Sequence, residues 1–311
     1  YGFIVTNLNA ILPFYIPYRK LELPIGISFY TFQTLSYIID VYRGNVDVQV
    51  NLIDFGTYVT MFPQLIAGPI VQYADVERQL RERKESLTKF GYGAWFFVMG
   101  LAKKVLLANT IGSIYENIAA MDGMSVVTAW LGCLAYTFQI YFDFSGYSDM
   151  AVGLGKMFGF EFLENFHYPY VSTSVTEFWR RWHITLGTWM KDYIFYPMSL
   201  SKKMNKFGKW GKKHFGNTFG RTLPICFANI VIFFIVGIWH GAAWKYIAYG
   251  LYNGFIIAIS NLLEPVYKKL LSKFHINATS RGWTLWQIIR TFILVNIGWY
   301  FDMADSVSQA L

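Results

Sequence analysis

Long apolar runs, each about the length of a bilayer crossing and separated by short polar stretches, dominate the pattern along this chain. The hydrocarbon core of a membrane is roughly 30 Å thick, so a helix needs about 20 mostly apolar residues to cross it. The runs at 23–42, 51–72, 92–118, 126–160, 223–238, 246–263 and 284–301 approach or exceed that length, and 2–16 reads as another, cut short by Pro17. None alternates polar with apolar residues as the strands of a membrane barrel do. Lipid offers no partner to an open backbone N–H or C=O, so the runs predict helices. The chain reads as a single all-α, multi-pass integral membrane domain over 1–311, with no fixed-period repeat and no Gly/Ser- or Pro-rich linker to divide it.

Two interruptions of the pattern are informative. In "MFPQLIAGPIVQY" (61–73), Pro63 and the Gly68–Pro69 pair break an apolar run. Broken backbone at membrane depth survives only when enclosed by protein or lining a cavity, so this segment is expected to face inward. The stretch "ENFHYPYVSTSVTEFWRRWHITLGTWMKDYIFYP" (164–197) is too polar to span and too aromatic for a free loop. It reads as a re-entrant or interfacial region holding one helix. Ser174 (or Thr176) is a candidate N-cap, and Glu177 stands at the capping-box spacing from Ser174. Downstream, Trp179, Trp182, His183, Leu186, Trp189 and Met190 recur at three and four residues as one helical stripe, with Arg180, Arg181 and Lys191 mostly off it.

Composition agrees with a membrane protein: 54% hydrophobic and 20% aromatic residues against 15% charged. The net charge of +8 is unevenly placed. The stretch 202–221, "KKMNKFGKWGKKHFGNTFGR", holds seven Lys/Arg and no acid, which predicts a basic loop on the cytoplasmic side. A second basic block, 78–89, is diluted by Glu82 and Glu85 and reads as an amphipathic cytoplasmic segment. Both suit contact with anionic lipid headgroups, or with a phosphate-bearing cosubstrate. Cys133 and Cys226 lie within apolar runs and read as buried thiols, neither a disulfide framework nor a metal site. The chain opens on Tyr1 without a signal-peptide pattern, and Leu311 follows the final apolar run by few residues, so both ends are expected to be cuts within a longer protein.

Histidine is the residue whose position asks for chemistry. His240 sits in "GIWHGAAW" (237–244), inside an apolar run, flanked by Trp239 and Trp244 and by glycines that permit close backbone approach. A charged side chain at mid-helix costs about 2.5–3.5 kcal/mol on insertion scales, so polar groups at that depth are turned into the protein for a task. His183 shares the tryptophan stripe, where it reads either as a satisfied interface histidine or as a functional one. The chain has five histidines, no His-x-x-x-His pair and no cysteine motif, so a catalytic zinc is not expected, and haem ligation is disfavoured. No Gly-x-Ser-x-Gly elbow is present. A general base acting on a hydroxyl is the remaining role for a buried imidazole.

Four motifs together resemble the membrane-bound O-acyltransferase family, in particular its bacterial alginate O-acetylation branch. They are "MFPQLIAGPIVQY" (61–73), "YTFQIYFDFSGYSDMAVGLGKMFGF" (136–160), "NFHYPYVSTSVTEFWRRWHITLGTWMKDYIFYP" (165–197) and "GIWHGAAWKYIAYGLYNG" (237–254). The resemblance implies a ring of transmembrane helices around a central tunnel, with funnels from both faces meeting at a histidine. The family's Trp-His-Gly motif falls on Trp239, His240 and Gly241, which makes His240 the implied catalytic base. Its Arg-Arg-Trp-His motif falls on Arg180, Arg181, Trp182 and His183. His183 would then orient or polarise the donor carbonyl; Arg180 and Arg181 read either as groups that meet phosphates or a carrier or as interfacial anchors. The tryptophans Trp182 and Trp239 would contact substrate. Asp143, Ser145, Tyr147 and Asp149 are expected to pack inside as structural hydrogen-bonding groups.

The resemblance further implies an acyl group, acetyl above all, taken from a cytoplasmic thioester (acetyl-CoA or an acylated carrier protein) and moved across a bacterial cytoplasmic membrane to an extracellular polysaccharide. It implies a secreted or membrane-anchored, SGNH hydrolase-like acyltransferase as partner; no tightly bound cofactor and no nucleic acid are expected. The long basic stretch after "DYIFYP" departs from the short glycine-containing turn of alginate-type members. D-alanyl transfer to teichoic acid from a carrier protein is an alternative. A polytopic transporter or channel is another, for which an inverted repeat would speak, and a non-catalytic scaffold a third.

Overall fold

The computed structural model describes residues 2–19, 24, 26–65 and 68–310. Both chain ends, positions 23 and 25 of the 23–42 run and two positions of the 61–73 segment lie outside the described residues. The described residues form helices and turns, with one isolated bridge between Phe166 and Trp182. In chain order the helices are α1 (Gly2–Asn9), α2 (Ile27–Arg43), α3 (Leu52–Thr60), α4 (Tyr73–Glu82), α5 (Leu87–Ala102), α6 (Asn109–Ala119) and α7 (Val126–Met157). They continue with α8 (Val175–Arg181), α9 (Ile184–Met190), α10 (Tyr196–Ser199), α11 (Lys202–His240), α12 (Trp244–Lys273), α13 (Arg281–Met303) and α14 (Val307–Ala310).

Serine starts many of these helices. Ser86, Ser125, Ser174, Ser201 and Ser280 each accept a hydrogen bond from the backbone N–H three residues on, satisfying a donor the first turn leaves open. Three helical stretches are long and apolar enough to cross a membrane: Leu87–Ala119, Lys202–His240 and Trp244–Lys273. The other candidate runs fold differently from eight uniform spans. Helices α7 and α13 are long but carry more polar residues, α2 has 17 residues, and the runs at 2–16 and 51–72 become the short helices α1 and α3. The 51–72 run breaks because Pro63 sits in a 3₁₀ turn, Phe62–Gln64, that cannot continue α3. As expected of such a break, its described residues pack inward: Pro63 and Gln64 are buried, as are Ile70 and Val71.

Glycine faces bring the long helices together, as in membrane bundles where small residues let backbones approach. A Cβ on Gly93 would lie 2.6 Å from the Gly153 carbonyl oxygen, and one on Gly100 would lie 2.5 Å from that of Gly146, so α5 and α7 touch backbone to backbone at two points. Between those contacts and α6 the helix widens into a π-turn at Lys103–Ala108. There Lys103 pairs with Asp149 at 2.5 Å and Lys104 pairs with Asp143. The "FDFSGYSD" acids therefore serve as half-exposed ion-pair partners, where hydrogen bonding in a buried cluster was expected; only Ser145 of the four is fully buried.

The stretch 202–221 is a helical hairpin and not a loop. Gly216, at φ 79°, turns the chain inside α11, and the arm 202–215 folds back so that Gly208 meets Pro224 and Gly211 meets Leu223 and Gly220. Its lysines remain exposed on the outside. Both cysteines are free and buried.

Candidate functional site

The helical stripe expected from Trp179 to Met190 is interrupted where His183 stands. Helix α8 ends at Arg181, His183 takes a left-handed backbone conformation (φ 46°), and α9 begins at Ile184. Such a conformation is costly for a residue with a Cβ and persists only where surroundings impose it. Here the strand-like segment before α8 does so. Arg181 C=O accepts from His167 N–H, and Asn165 C=O accepts from Ile184 N–H, pinning the backbone on both sides of the break. The Asn165 side chain completes the clamp: its Oδ1 accepts from Thr185 N–H (3.2 Å) and Thr185 Oγ1–H (3.0 Å), and lies 3.1 Å from His183 Nδ1. Thr185 Oγ1 in turn accepts from Ile70 N–H at 2.9 Å, which ties the broken 61–73 segment to the histidine.

At the N-terminus of α8, Ser174 Oγ accepts from Glu177 N–H, but Glu177 returns its bond to Thr173 N–H and Oγ1–H instead of to the cap residue itself. Glu177 also takes Arg181 at 2.7 Å. Burial pushes the Glu177 carboxyl upward, yet the hydrogen bonds from Thr173 and the guanidinium of Arg181 outweigh it and hold the group below the ordinary carboxylate range.

His240 is the last residue of α11. Unlike His183, which is 3% exposed, it is exposed at the protein surface. Its ring stacks on Tyr246 (6.3 Å, 21°) and meets Tyr249 edge-on at 5.6 Å. A Cβ on Gly241 would come within 2.4 Å of the Tyr246 ring, so the glycine after the histidine is required for that stack. Trp239 bridges the two histidines: its ring lies 5.9 Å from His183 and 5.0 Å from His240. The imidazoles are near enough to act on each other electrostatically.

A cavity of about 660 Å³ between the α8–α9 segment and the α11–α12 pair reaches His183, while Trp239 and His240 are not among its lining residues. Thr222, Ile225, Asn229, Ile232 and Val236 line it at helical spacing along one face of α11, and His183 lies on its wall. From Thr222 to Val236 that face is ~21 Å long at 1.5 Å per residue. Arg180, Lys191 and Glu264, all exposed, also line it.

The structure thus brings together three of the six candidate residues, His183, Trp239 and His240. Arg180 lines the cavity. Arg181 does not; it is engaged by Glu177. Trp182 reaches the cavity wall, but its ring is packed among Phe166, Phe178 and Trp299. Sequence reading missed Asn165, Thr185, Tyr246 and Tyr249. Asn165 and Thr185 stand in the quoted 165–197 motif, and Tyr246 and Tyr249 in the 237–254 motif, but no periodicity singles them out. Among the described residues no group of three or more His, Cys, Asp or Glu side chains gathers as a metal site would require.

Comparison with known proteins agrees with this geometry. The chain is 41% identical over 99% of its length to "Probable alginate O-acetylase AlgI" of Pseudomonas aeruginosa, covering 55% of that protein. It is 31% identical over 99% of its length to the "Peptidoglycan O-acetyltransferase" of Helicobacter pylori, covering 59% of it. A "Teichoic acid D-alanyltransferase" of Bacillus subtilis is 28% identical over 89% of this chain and is covered to 67%. The chain therefore spans somewhat more than half the length of the two O-acetylation relatives. The sequence model described as "MBOAT, membrane-bound O-acyltransferase family" matches residues 44–301, a range that encloses both histidines, Trp239 and Asn165. On that match this membrane protein belongs to the membrane-bound O-acyltransferase family.

Proposed function

We propose that the chain is the membrane core of an acyltransferase that passes an acyl group, acetyl in the first place, from a cytoplasmic thioester to a hydroxyl of an envelope polysaccharide. The observation that supports this most is the meeting of His183, which lines the cavity, with Trp239 and the exposed His240. A groove ~21 Å long, lined along α11 by Ile225, Ile232 and Val236 with polar Thr222 and Asn229 among them, and lined also by Arg180 and Lys191, suits a thin thioester arm whose phosphates meet those two cations. A tunnel continuing past His240 to the opposite face would let the acyl group cross while the charged donor body stays behind.

In the transfer itself, His240 accepts the proton of the acceptor hydroxyl as its oxygen attacks the thioester carbonyl carbon. The tetrahedral intermediate collapses, the C–S bond breaks, and the imidazolium returns the proton to the leaving thiolate. General-base assistance of this kind is worth about 100- to 10,000-fold in rate. His183 orients the reacting groups. Acetyl-CoA or an acylated carrier protein is the cosubstrate, an extracellular SGNH-type acyltransferase the downstream partner, and the bacterial cytoplasmic membrane the location.

D-alanyl transfer to teichoic acid is the second reading. It is favoured by the B. subtilis relative and by the exposed lysines of the 202–215 arm, which suit an acidic carrier. Reconstituted protein supplied with labelled acetyl-CoA or with a charged carrier separates the two. His240→Ala is expected to lower polysaccharide O-acetyl content in cells by at least about 100-fold while leaving membrane insertion intact; undiminished acetylation would reject the base.

A further inference from the structure

We infer that Asn165 is a positioning residue that locks His183 in the tautomer with the proton on Nδ1, leaving Nε2 as a bare lone pair. This rests on the acyl-transfer reading and narrows the part His183 plays in it: with His240 taking the hydroxyl proton, Nε2 of His183 can accept a hydrogen bond from another substrate group but cannot donate one to the thioester carbonyl.

The direction of every proton in the chain of bonds follows from backbone groups, which cannot change sides. Ile70 N–H is a donor, so Thr185 Oγ1 accepts there and its own hydrogen is free to point at Asn165. Thr185 N–H is also a donor, so the Asn165 atom it meets is the carbonyl oxygen and not the amide nitrogen. An oxygen that only accepts obliges His183 to supply the hydrogen from Nδ1 across the 3.1 Å contact. A neutral imidazole carries one proton, so Nε2 has none. That atom is buried and has no hydrogen-bond partner among the described residues, on a ring that lines the cavity. A buried acceptor left open is costly unless a ligand fills it.

The same clamp holds the left-handed backbone at position 183, so one side chain sets both where the ring stands and which nitrogen it offers. Phe144 packs edge-on against the imidazole at 4.9 Å and Trp239 lies at 5.9 Å, which keeps the ring from flipping. Of the titratable groups packed around it, His240 is the one that bears on His183.

The test uses the full chain in detergent, labelled with ¹⁵N-histidine, with the His183 resonances identified by their loss in His183→Gln. Wild-type His183 is expected to show the Nδ1–H tautomer; an Nε2–H tautomer overturns the inference whatever the activity. Asn165→Leu removes the acceptor at similar volume and is expected to lower kcat about 100-fold or more, as a misplaced tautomer does, with KM little changed. Asn165→Asp keeps the acceptor and makes His183 easier to protonate. It is expected to retain activity within about tenfold and to move the acidic limb of the pH–rate profile to higher pH. An unmoved limb, or wild-type kcat in Asn165→Leu, overturns the inference. Absence of acyl transfer by the reconstituted wild-type protein from either labelled acetyl-CoA or a charged carrier would instead overturn the acyl-transfer reading, so the two failures are distinguishable.

Discussion

Replacing Gly250 by alanine perturbs the crossing that positions His240, and the consequence can be worked from the packing. Gly250 of α12 lies against α11 so closely that a Cβ there would stand 2.2 Å from the Phe233 carbonyl oxygen and 3.1 Å from Gly237. That falls short of ordinary van der Waals contact by about 1 Å. Both obstacles are helix backbone, which cannot rotate away, so the two helices must part. Gly237 is three residues before His240, and the parting reaches the imidazole within one turn. Overpacking of this size costs about 1–3 kcal/mol of stability, and a displacement of about 1 Å at a reacting group costs about 100-fold in rate. Gly282→Ala is the control: it also adds a methyl group to a helix, but nothing lies within 4 Å of its Cβ. Helix propensity alone should leave it neutral or more stable by up to about 1 kcal/mol. Melting temperature of the detergent-purified protein and cellular O-acetyl content read the two effects separately. Gly250→Ala with wild-type melting and wild-type acetylation would refute the crossing as the device that places His240. Lowered melting with full acetylation would refute only the link to catalysis.

Two further outcomes follow from charges away from the site. Asp149→Asn leaves Lys103 without its counter-charge at the π-turn and is expected to destabilise by about 1–3 kcal/mol, with Lys103→Met in the same chain recovering most of it; a double-mutant cycle of melting temperatures checks this. At Glu161, burial raises the carboxyl but bonds to Lys89 and Lys156 outweigh it, so the group is held below its ordinary value of 4.5. A carboxyl depressed in the folded state contributes stability above its unfolded pKa and loses it as pH falls through the folded one. Glu161→Gln should therefore flatten the stability profile below about pH 4.5 and leave it unchanged toward acid if the pairs contribute nothing.

Much of the architecture is decided by local rules that need no knowledge of the fold. Apolar run length dictates helices because lipid cannot satisfy backbone polar groups. Serine before a run dictates where five of them start. Proline and the Gly68–Pro69 pair dictate that 61–73 breaks, and a broken backbone in this solvent must be enclosed, as its burial bears out. The Trp-His-Gly and Arg-Arg-Trp-His motifs singled out two histidines, and the structure sets the Trp239 ring against both.

What sequence could not determine depends on contacts between distant segments. The stripe from Trp179 to Met190 is a sound helical pattern, yet Asn165 pulls His183 out of the helix, because a side chain from another segment outcompetes the local i to i+4 ladder. The 202–221 stretch looked like a loop by charge, but glycine faces at 208, 211 and 220 let it fold back as a helix against its own continuation. Arg180 and Arg181 are neighbours in sequence with opposite fates, one at the cavity and one spent on Glu177. Local composition chose helix and membrane, since those follow from the solvent each residue prefers. Which imidazole is sealed, which is exposed, and which side chain meets Nδ1 of His183 were decided only by tertiary packing, because a hydrogen bond depends on the partner the fold delivers.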